Sequence, residues 1–205
     1  KTMNLKVLDD GLLGKPKSYE TTGGGWFYSK MYEYDEKGQV EKIHWEKRTP
    51  GTSRGTQTLS YDEQGKLMRI TDYENIYEVF TYENDRLVKS ENIKNDEVKS
   101  YHLYDYDEAG NLGGMASFYL QPGGDYLKSL VFIFLNYEDG NIYKKLAYSV
   151  TETNGEEEFT LLSTETFRSY HDKANPFPAF NVIPTIVSQS KLPGGYLFEG
   201  SDKTL

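Results

Sequence analysis

The chain has 205 residues, 37% hydrophobic and 15% aromatic, with 18 Tyr and 10 Phe. That is enough to bury a core in one large or two small domains, and too aromatic for a disordered chain. A formal net charge of −9 argues against nucleic acid as a partner, because phosphate binding needs a basic stripe. The absence of cysteine excludes a disulfide scaffold, a thiolate metal site and a cysteine nucleophile.

Residues 1–25 read as an N-terminal extension. It ends in Gly23-Gly24-Gly25, a flexible entry into a strand and not a phosphate cradle, since no helix start follows it. The chain opens at Lys1 without a signal peptide, so it is expected to be a trimmed or processed chain.

From Trp26 onward one unit recurs. Its long form is Tyr34-Asp35-Glu36-Lys37-Gly38-Gln39-Val40, then Tyr61-Asp62-Glu63-Gln64-Gly65-Lys66-Leu67, then Tyr106-Asp107-Glu108-Ala109-Gly110-Asn111-Leu112. A three-residue loop with glycine at its left-handed position specifies a type I turn followed by a G1 bulge. The short form is Tyr82-Glu83-Asn84-Asp85-Arg86-Leu87 and Tyr137-Glu138-Asp139-Gly140-Asn141-Ile142, where a two-residue loop suits a type I′ turn. Both lengths set a tyrosine opposite an aliphatic residue on one face and an acid opposite a polar residue on the other. Such cross-strand pairs stabilise a sheet by roughly 0.2–1 kcal/mol each.

Two residues before each tyrosine stands Tyr32, Leu59, Phe80, Tyr104 or Leu135, which keeps the tyrosine's face apolar at period two. Opposite-end turns fall at Thr49-Pro50-Gly51-Thr52-Ser53-Arg54-Gly55, near Glu74-Asn75, and at Lys94-Asn95-Asp96, Pro122-Gly123-Gly124-Asp125 and Thr153-Asn154-Gly155. A sixth, degenerate unit opens at Tyr170-His171-Asp172 and is stopped by Pro176 and Pro178.

The fold expected is all-β: an antiparallel β-meander of about twelve strands, without an amphipathic helix, in a strongly twisted or partly closed sheet. Residues 26–180 form the hairpin-repeat domain. The tail 181–205 is expected to cover a sheet edge with a short strand or two. The longest apolar run, Leu130–Leu135, is strand-sized and not a membrane span. Lys99 beside Tyr101 and Leu103 breaks the lipid-facing band that a membrane barrel would need.

The Tyr-Asp pair, the short turn closing on glycine and the aliphatic two residues later resemble YD-repeat proteins of the Rhs and wall-associated type. The segment Tyr170-His171-Asp172-Lys173-Ala174-Asn175-Pro176-Phe177 resembles more specifically the secreted lipoproteins of gut-dwelling Gram-negative anaerobes. The resemblance covers about residues 26–180. It implies an extracytoplasmic address in the periplasm or at the cell surface, a lipid anchor in the full-length precursor, and no established catalytic residues. The units here are uneven and too few for the toxin-enclosing shell of long Rhs chains.

His44, His102 and His171 lack metal-ligand spacing and read as strand or surface residues. Asp35, Asp62, Glu83, Asp107 and Glu138 flank turns, where acids serve the turn itself, and Glu156-Glu157-Glu158 reads as a solvated hairpin limb. Gly51-Thr52-Ser53-Arg54-Gly55 reads as a loop, not a nucleophile elbow. Neither a cofactor nor a metal site is expected. The aromatic surplus is the functional signal: Trp26, Tyr28, Trp45, Tyr73, Tyr77 and Tyr119 form the candidate set for an exposed or cleft-lining surface. The expected function is non-enzymatic binding or scaffolding with a glycan or protein ligand. The alternative is a carbohydrate-active or other hydrolase using a carboxylate pair.

Overall fold

A computed structural model describes residues 4–9, 16–23, 25–136, 142–166, 170–174 and 191–193. The protein is all-β, with no helix among the described residues. In chain order the strands are β1 (Asn4–Asp9), β2 (Pro16–Gly23), β3 (Trp26–Tyr34), β4 (Val40–Thr49), β5 (Gly51–Tyr61), β6 (Leu67–Tyr73) and β7 (Ile76–Glu83). They continue as β8 (Arg86–Lys94), β9 (Glu97–Tyr106), β10 (Leu112–Leu120), β11 (Tyr126–Asn136), β12 (Ile142–Thr153) and β13 (Glu156–Thr166). A separate two-stranded sheet pairs β14 (Tyr170–Ala174) with β15 (Lys191–Pro193).

Among the described residues the strand order runs from β1 to β13 in sequence, as an antiparallel meander. Strand pairing begins before Trp26, because β2 pairs with β3 from Ser18↔Met31 to Gly23↔Trp26. The chain divides into two compact units, and the boundary between β1–β6 of the first and β8–β15 of the second falls within β7, between Tyr77 and Glu78.

The hairpin geometry expected of the long form is present in all three copies. Tyr34 registers with Val40, Tyr61 with Leu67 and Tyr106 with Leu112. Gly38, Gly65 and Gly110 have φ of 79°, 83° and 86°, the left-handed region that a Cβ disfavours. In the first loop the Gly38 N–H donates to the Asp35 carbonyl and the Asp35 N–H donates to the Gln39 carbonyl, and the other two loops repeat both bonds. The short loop has Asn84 at φ 48° and Asp85 at 66°, as a type I′ turn requires. Asn95-Asp96 and Asn154-Gly155 use the same conformation at the opposite end.

A second bulge follows each long loop. Glu33 registers with Lys42 although Tyr34 registers with Val40, so Glu41 is an extra residue on its strand. Met68 and Gly113 are extra in the same way. The inserted residue reverses the alternation, so β4 buries Val40 and Ile43 and β6 buries Leu67 and Ile70. Burial at i and i+3 replaces period two on the strand leaving the turn. The incoming strands keep period two, and Tyr32, Leu59, Phe80 and Tyr104 are all buried.

Two expectations are corrected. Thr49–Gly55 is not a long loop: β4 turns at Pro50, and β5 pairs from Thr49↔Gly51 through Gly55↔Trp45 to Thr58↔Lys42. The Gly, Thr and Ser composition resembles a loop, but Gly55 is needed because the Trp45 ring lies on its backbone. A Cβ on Gly55 would stand 2.6 Å from that ring.

The fifth unit is displaced by one residue. Ile142 registers with Asn136, not with Tyr137, and Phe134 is buried in place of Leu135. The run Leu130–Leu135 is apolar on both faces, so nothing in it specifies which parity faces the core. Tyr137, Glu138 and the Asp139-Gly140 turn lie outside the described residues. So do Pro176, Pro178 and the tail apart from β15.

Candidate functional site

Every long unit fastens its own turn. The Asp35 carboxylate accepts the Gln39 N–H at 2.7 Å, Asp62 accepts that of Lys66 at 2.8 Å, and Asp107 that of Asn111 at 2.8 Å. The motif aspartate therefore braces the backbone. The Asn111 backbone N–H bond, joined by the Asn111 side chain, holds the Asp107 carboxyl below the usual carboxylate range.

Neighbouring units are latched by the tyrosine. The Tyr61 hydroxyl donates to the Val40 carbonyl at 2.8 Å, and the Tyr106 hydroxyl donates to the Leu87 carbonyl at 2.9 Å. In each case the acceptor is the aliphatic residue of the preceding unit. The residue before that aliphatic adds a second tie. Gln39 Nε2 donates to the Gly65 carbonyl at 3.0 Å, and the Arg86 guanidinium packs against Gly110 and lies over the Tyr106 ring at 5.5 Å. Thus the tyrosine, aspartate, glycine and aliphatic positions are all accounted for by folding.

The core of the second unit is partly polar. Ser90 Oγ and Tyr104 Oη are 3.1 Å apart, and burial pushes the Tyr104 phenol up to about 12. His102 Nδ1 lies 2.8 Å from the Ser117 hydroxyl, and burial lowers the His102 pKa below the usual imidazole value. Ser117 is buried, so this pair reads as a satisfied core contact rather than an accessible nucleophile. In the first unit His44 bridges Glu33 at 2.8 Å and Thr56 at 2.9 Å on an exposed surface. His171 falls in β14. Among the described residues no group of three His, Asp or Glu side chains could hold a metal ion.

The six candidate aromatics lie in three places. Trp26, Tyr28 and Trp45 share the core-side face of β3 and β4, beyond the buried Tyr32 and Ile43. Lys30 stands directly opposite Trp45; burial lowers its pKa, while Asp72 acts to raise it. Tyr73 and Tyr77 alternate onto the other face, where the Arg69 guanidinium lies 3.6 Å from the Tyr77 ring centroid. Tyr119 is exposed in β10 of the second unit.

A larger apolar surface lies elsewhere, on the face of β9–β13 that points away from the buried Tyr104. Strand alternation and register put Tyr101, Leu103, Phe118, Ile133, Phe159 and Leu161 on it. Tyr101 stacks on Phe118 at 4.6 Å between ring centroids, and Tyr126 meets Tyr101 edge-on at 5.1 Å. The Tyr126 hydroxyl is fixed by the Val98 carbonyl at 2.8 Å. Lys89 caps the Tyr101 ring at 5.0 Å, and Lys128 reaches the Phe118 ring at 5.8 Å. The aliphatic members are open to solvent: Leu103 is 42% exposed, Ile133 37% and Leu161 53%. The sequence signal was present, because β9–β11 carry apolar residues at both parities while one sheet face needs only one.

No protein-family model matches the chain, and no curated protein matches it. Among solved structures it is similar to the Photorhabdus luminescens Tc holotoxin pore, at 13% identity over 77% of this chain and 10% of that one, with a TM-score of 0.38. It is similar to TcdB2-TccC3-TEV at 13% identity, covering 71% and 10% of the two chains, with a TM-score of 0.35. A porin-like protein from Bacteroides uniformis matches at 15% identity over 96% of this chain and 76% of that one, with a TM-score of 0.35. The chain spans about a tenth of the toxin chains. Likenesses at this level carry no conclusion about function.

Proposed function

We propose that the chain is a non-enzymatic binding or scaffold protein that holds a protein ligand on the apolar face of β9–β13. The observation that carries this reading is the exposure of Leu103, Ile133, Phe159 and Leu161 on one face beside the Tyr101–Phe118 stack. Exposed apolar side chains gathered on one face are a feature of interaction sites. Tyr101 is stacked on Phe118 and flanked by Tyr126, whose hydroxyl is tied to the Val98 carbonyl, so little ordering entropy is lost on binding. The aliphatic content favours a polypeptide over a sugar, whose faces call for flat rings flanked by polar groups. An extracytoplasmic address and a lipid anchor upstream belong to the same proposal, on the strength of the Tyr-Asp and Asn-Pro-Phe resemblance.

A second reading is favoured by one feature of the first unit. Trp45, laid on Gly55 with Lys30 beside it and Tyr28 and Trp26 farther along the same face, offers rings and polar groups suited to a sugar.

A thermal-shift panel of peptides and oligosaccharides tests both. Peptides rich in aliphatic and aromatic residues are expected to raise Tm, and the Leu103→Ser/Ile133→Ser variant is expected to abolish the shift. Shifts confined to oligosaccharides and removed by Trp45→Ala would overturn the first reading in favour of the second.

A further inference from the structure

The strand β13 ends the long meander, with no neighbour on its outer side among the described residues. An unpaired strand edge is a template for another chain, and natural edges are ordinarily blunted by charged side chains, Pro or bulges along their length. The segment Glu156–Thr166 holds no Lys and no Pro, and its only charges are acidic, so they repel an acidic or identical strand and leave the edge open to a basic one. It bulges only near Leu162, leaving Glu156–Leu161 in unbroken register with β12.

Its two side-chain rows have different chemistry. Glu157, Phe159 and Leu161 register with Glu152, Val150 and Tyr148 and lie on the apolar face, where Phe159 is 49% exposed. Glu156, Glu158 and Thr160 register with Thr153, Thr151 and Ser149 on the other face. Glu157 is held by Lys128 at 2.7 Å and Glu165 by Lys145 at 3.5 Å. Glu156 and Glu158 are exposed and make no ion pair among the described residues. A second copy of β13 would bring its own glutamates to this edge, on a chain whose net charge is already −9, which disfavours self-pairing.

We infer that the outer edge of β13 receives an extended polypeptide segment of a partner protein, in which apolar residues alternate with Lys or Arg. Its backbone would pair with β13. The apolar row would extend the face at Phe159 and Leu161, and the basic row would meet Glu156 and Glu158. The inference rests on the proposed binding face, since Phe159 and Leu161 belong to both.

The test uses a short capped peptide alternating valine and lysine, a control with glutamate in place of lysine, and amide hydrogen exchange on the whole chain. The lysine peptide is expected to slow exchange at alternate amides of Glu156–Thr166. The Glu156→Lys/Glu158→Lys variant should weaken that peptide roughly tenfold and bind the glutamate peptide instead, a swap that also proves the variant folded. Protection absent from β13, or equal binding of both peptides by both proteins, would overturn strand addition. If Leu103→Ser/Ile133→Ser abolishes binding while β13 amides stay unprotected, the face reading stands and the edge inference fails. If β13 is protected and those two substitutions change nothing, the edge inference stands and the face reading fails.

Discussion

The two units use the same hairpin and latch but clothe the face opposite the core differently. In the first unit that face carries Glu33, Lys42, His44, Thr56, Thr58, Arg69 and Thr71 in register across β3–β6, with Met31 and Tyr73 as its exposed apolar members. Glu33 binds both Lys42 and His44, and Glu46 binds Arg48 and Arg54. In the second unit the corresponding face carries Tyr101, Leu103, Phe118 and Ile133. The tyrosine latch is the same in both, from Tyr61 to Val40 and from Tyr106 to Leu87. The repeat thus specifies the core side and leaves the other face free to diverge. Ion pairs at such exposure contribute little to stability, so the charged part of the first unit's surface is solvation. An exposed aromatic–aliphatic surface has no comparable solvation rationale, and its divergence is where function is expected.

The largest effect expected is equal damage to the two cores. Phe80→Ala should cost about 3–5 kcal/mol and Ile43→Ala about 2–5 kcal/mol in urea unfolding, because both side chains are among the largest fully buried. A loss below about 1 kcal/mol at either would show that one unit lacks the core described.

The latch comes next. Tyr61→Phe and Tyr106→Phe each remove a hydroxyl bonded to a backbone carbonyl, and each should cost about 0.5–1.5 kcal/mol without changing the hairpin register. A loss at one and not the other would break the equivalence of the two units.

Smaller still should be the stability effect of giving the second unit the first unit's surface. Leu103→Thr/Ile133→Thr should move stability by no more than about 0.5 kcal/mol per site while lowering the fluorescence of a hydrophobic dye. A cooperative loss of several kcal/mol would mean that the face is core.

The last contrast is in pH. His102 is buried with its pKa lowered, so below the ordinary imidazole value the unfolded chain takes up more protons than the folded one. The second unit should have its full stability above about pH 6.5 and lose some as the pH falls from there through the lowered folded value. His102→Gln should flatten that slope. Glu33 and Asp107, whose hydrogen bonds lower their pKa values, act in a more acidic window, which the same comparison separates. An unchanged slope in His102→Gln would remove the histidine from the explanation.

Much of the scaffold was legible because its determinants are local. A left-handed glycine three residues after Asp35, Asp62 or Asp107 fixes the turn, and the turn fixes the Tyr–aliphatic register. The bulge at Glu41, Met68 and Gly113 was harder to see, because an inserted residue only shifts parity. The recurring aliphatic-x-x-apolar spacing of Val40/Ile43 and Leu67/Ile70 is its trace. The fifth unit slipped by one since Leu130–Leu135 is apolar at both parities. Residue type alone points to Trp45, whose ring lies on Gly55, and passes over Leu103 and Ile133. The latch was illegible, because a hydroxyl reaching the preceding unit's carbonyl leaves no pattern beyond the tyrosine itself.

The most direct measurement is the thermal shift given by the panel's most stabilising peptide on three proteins: the native chain, Leu103→Ser/Ile133→Ser, and Met31→Ser/His44→Ser on the first unit's face opposite its core. Loss of the shift in the second protein and its retention in the third are expected if ligand binding belongs to the apolar face of β9–β13. Retention in the second protein, or loss in the third alone, would contradict that assignment.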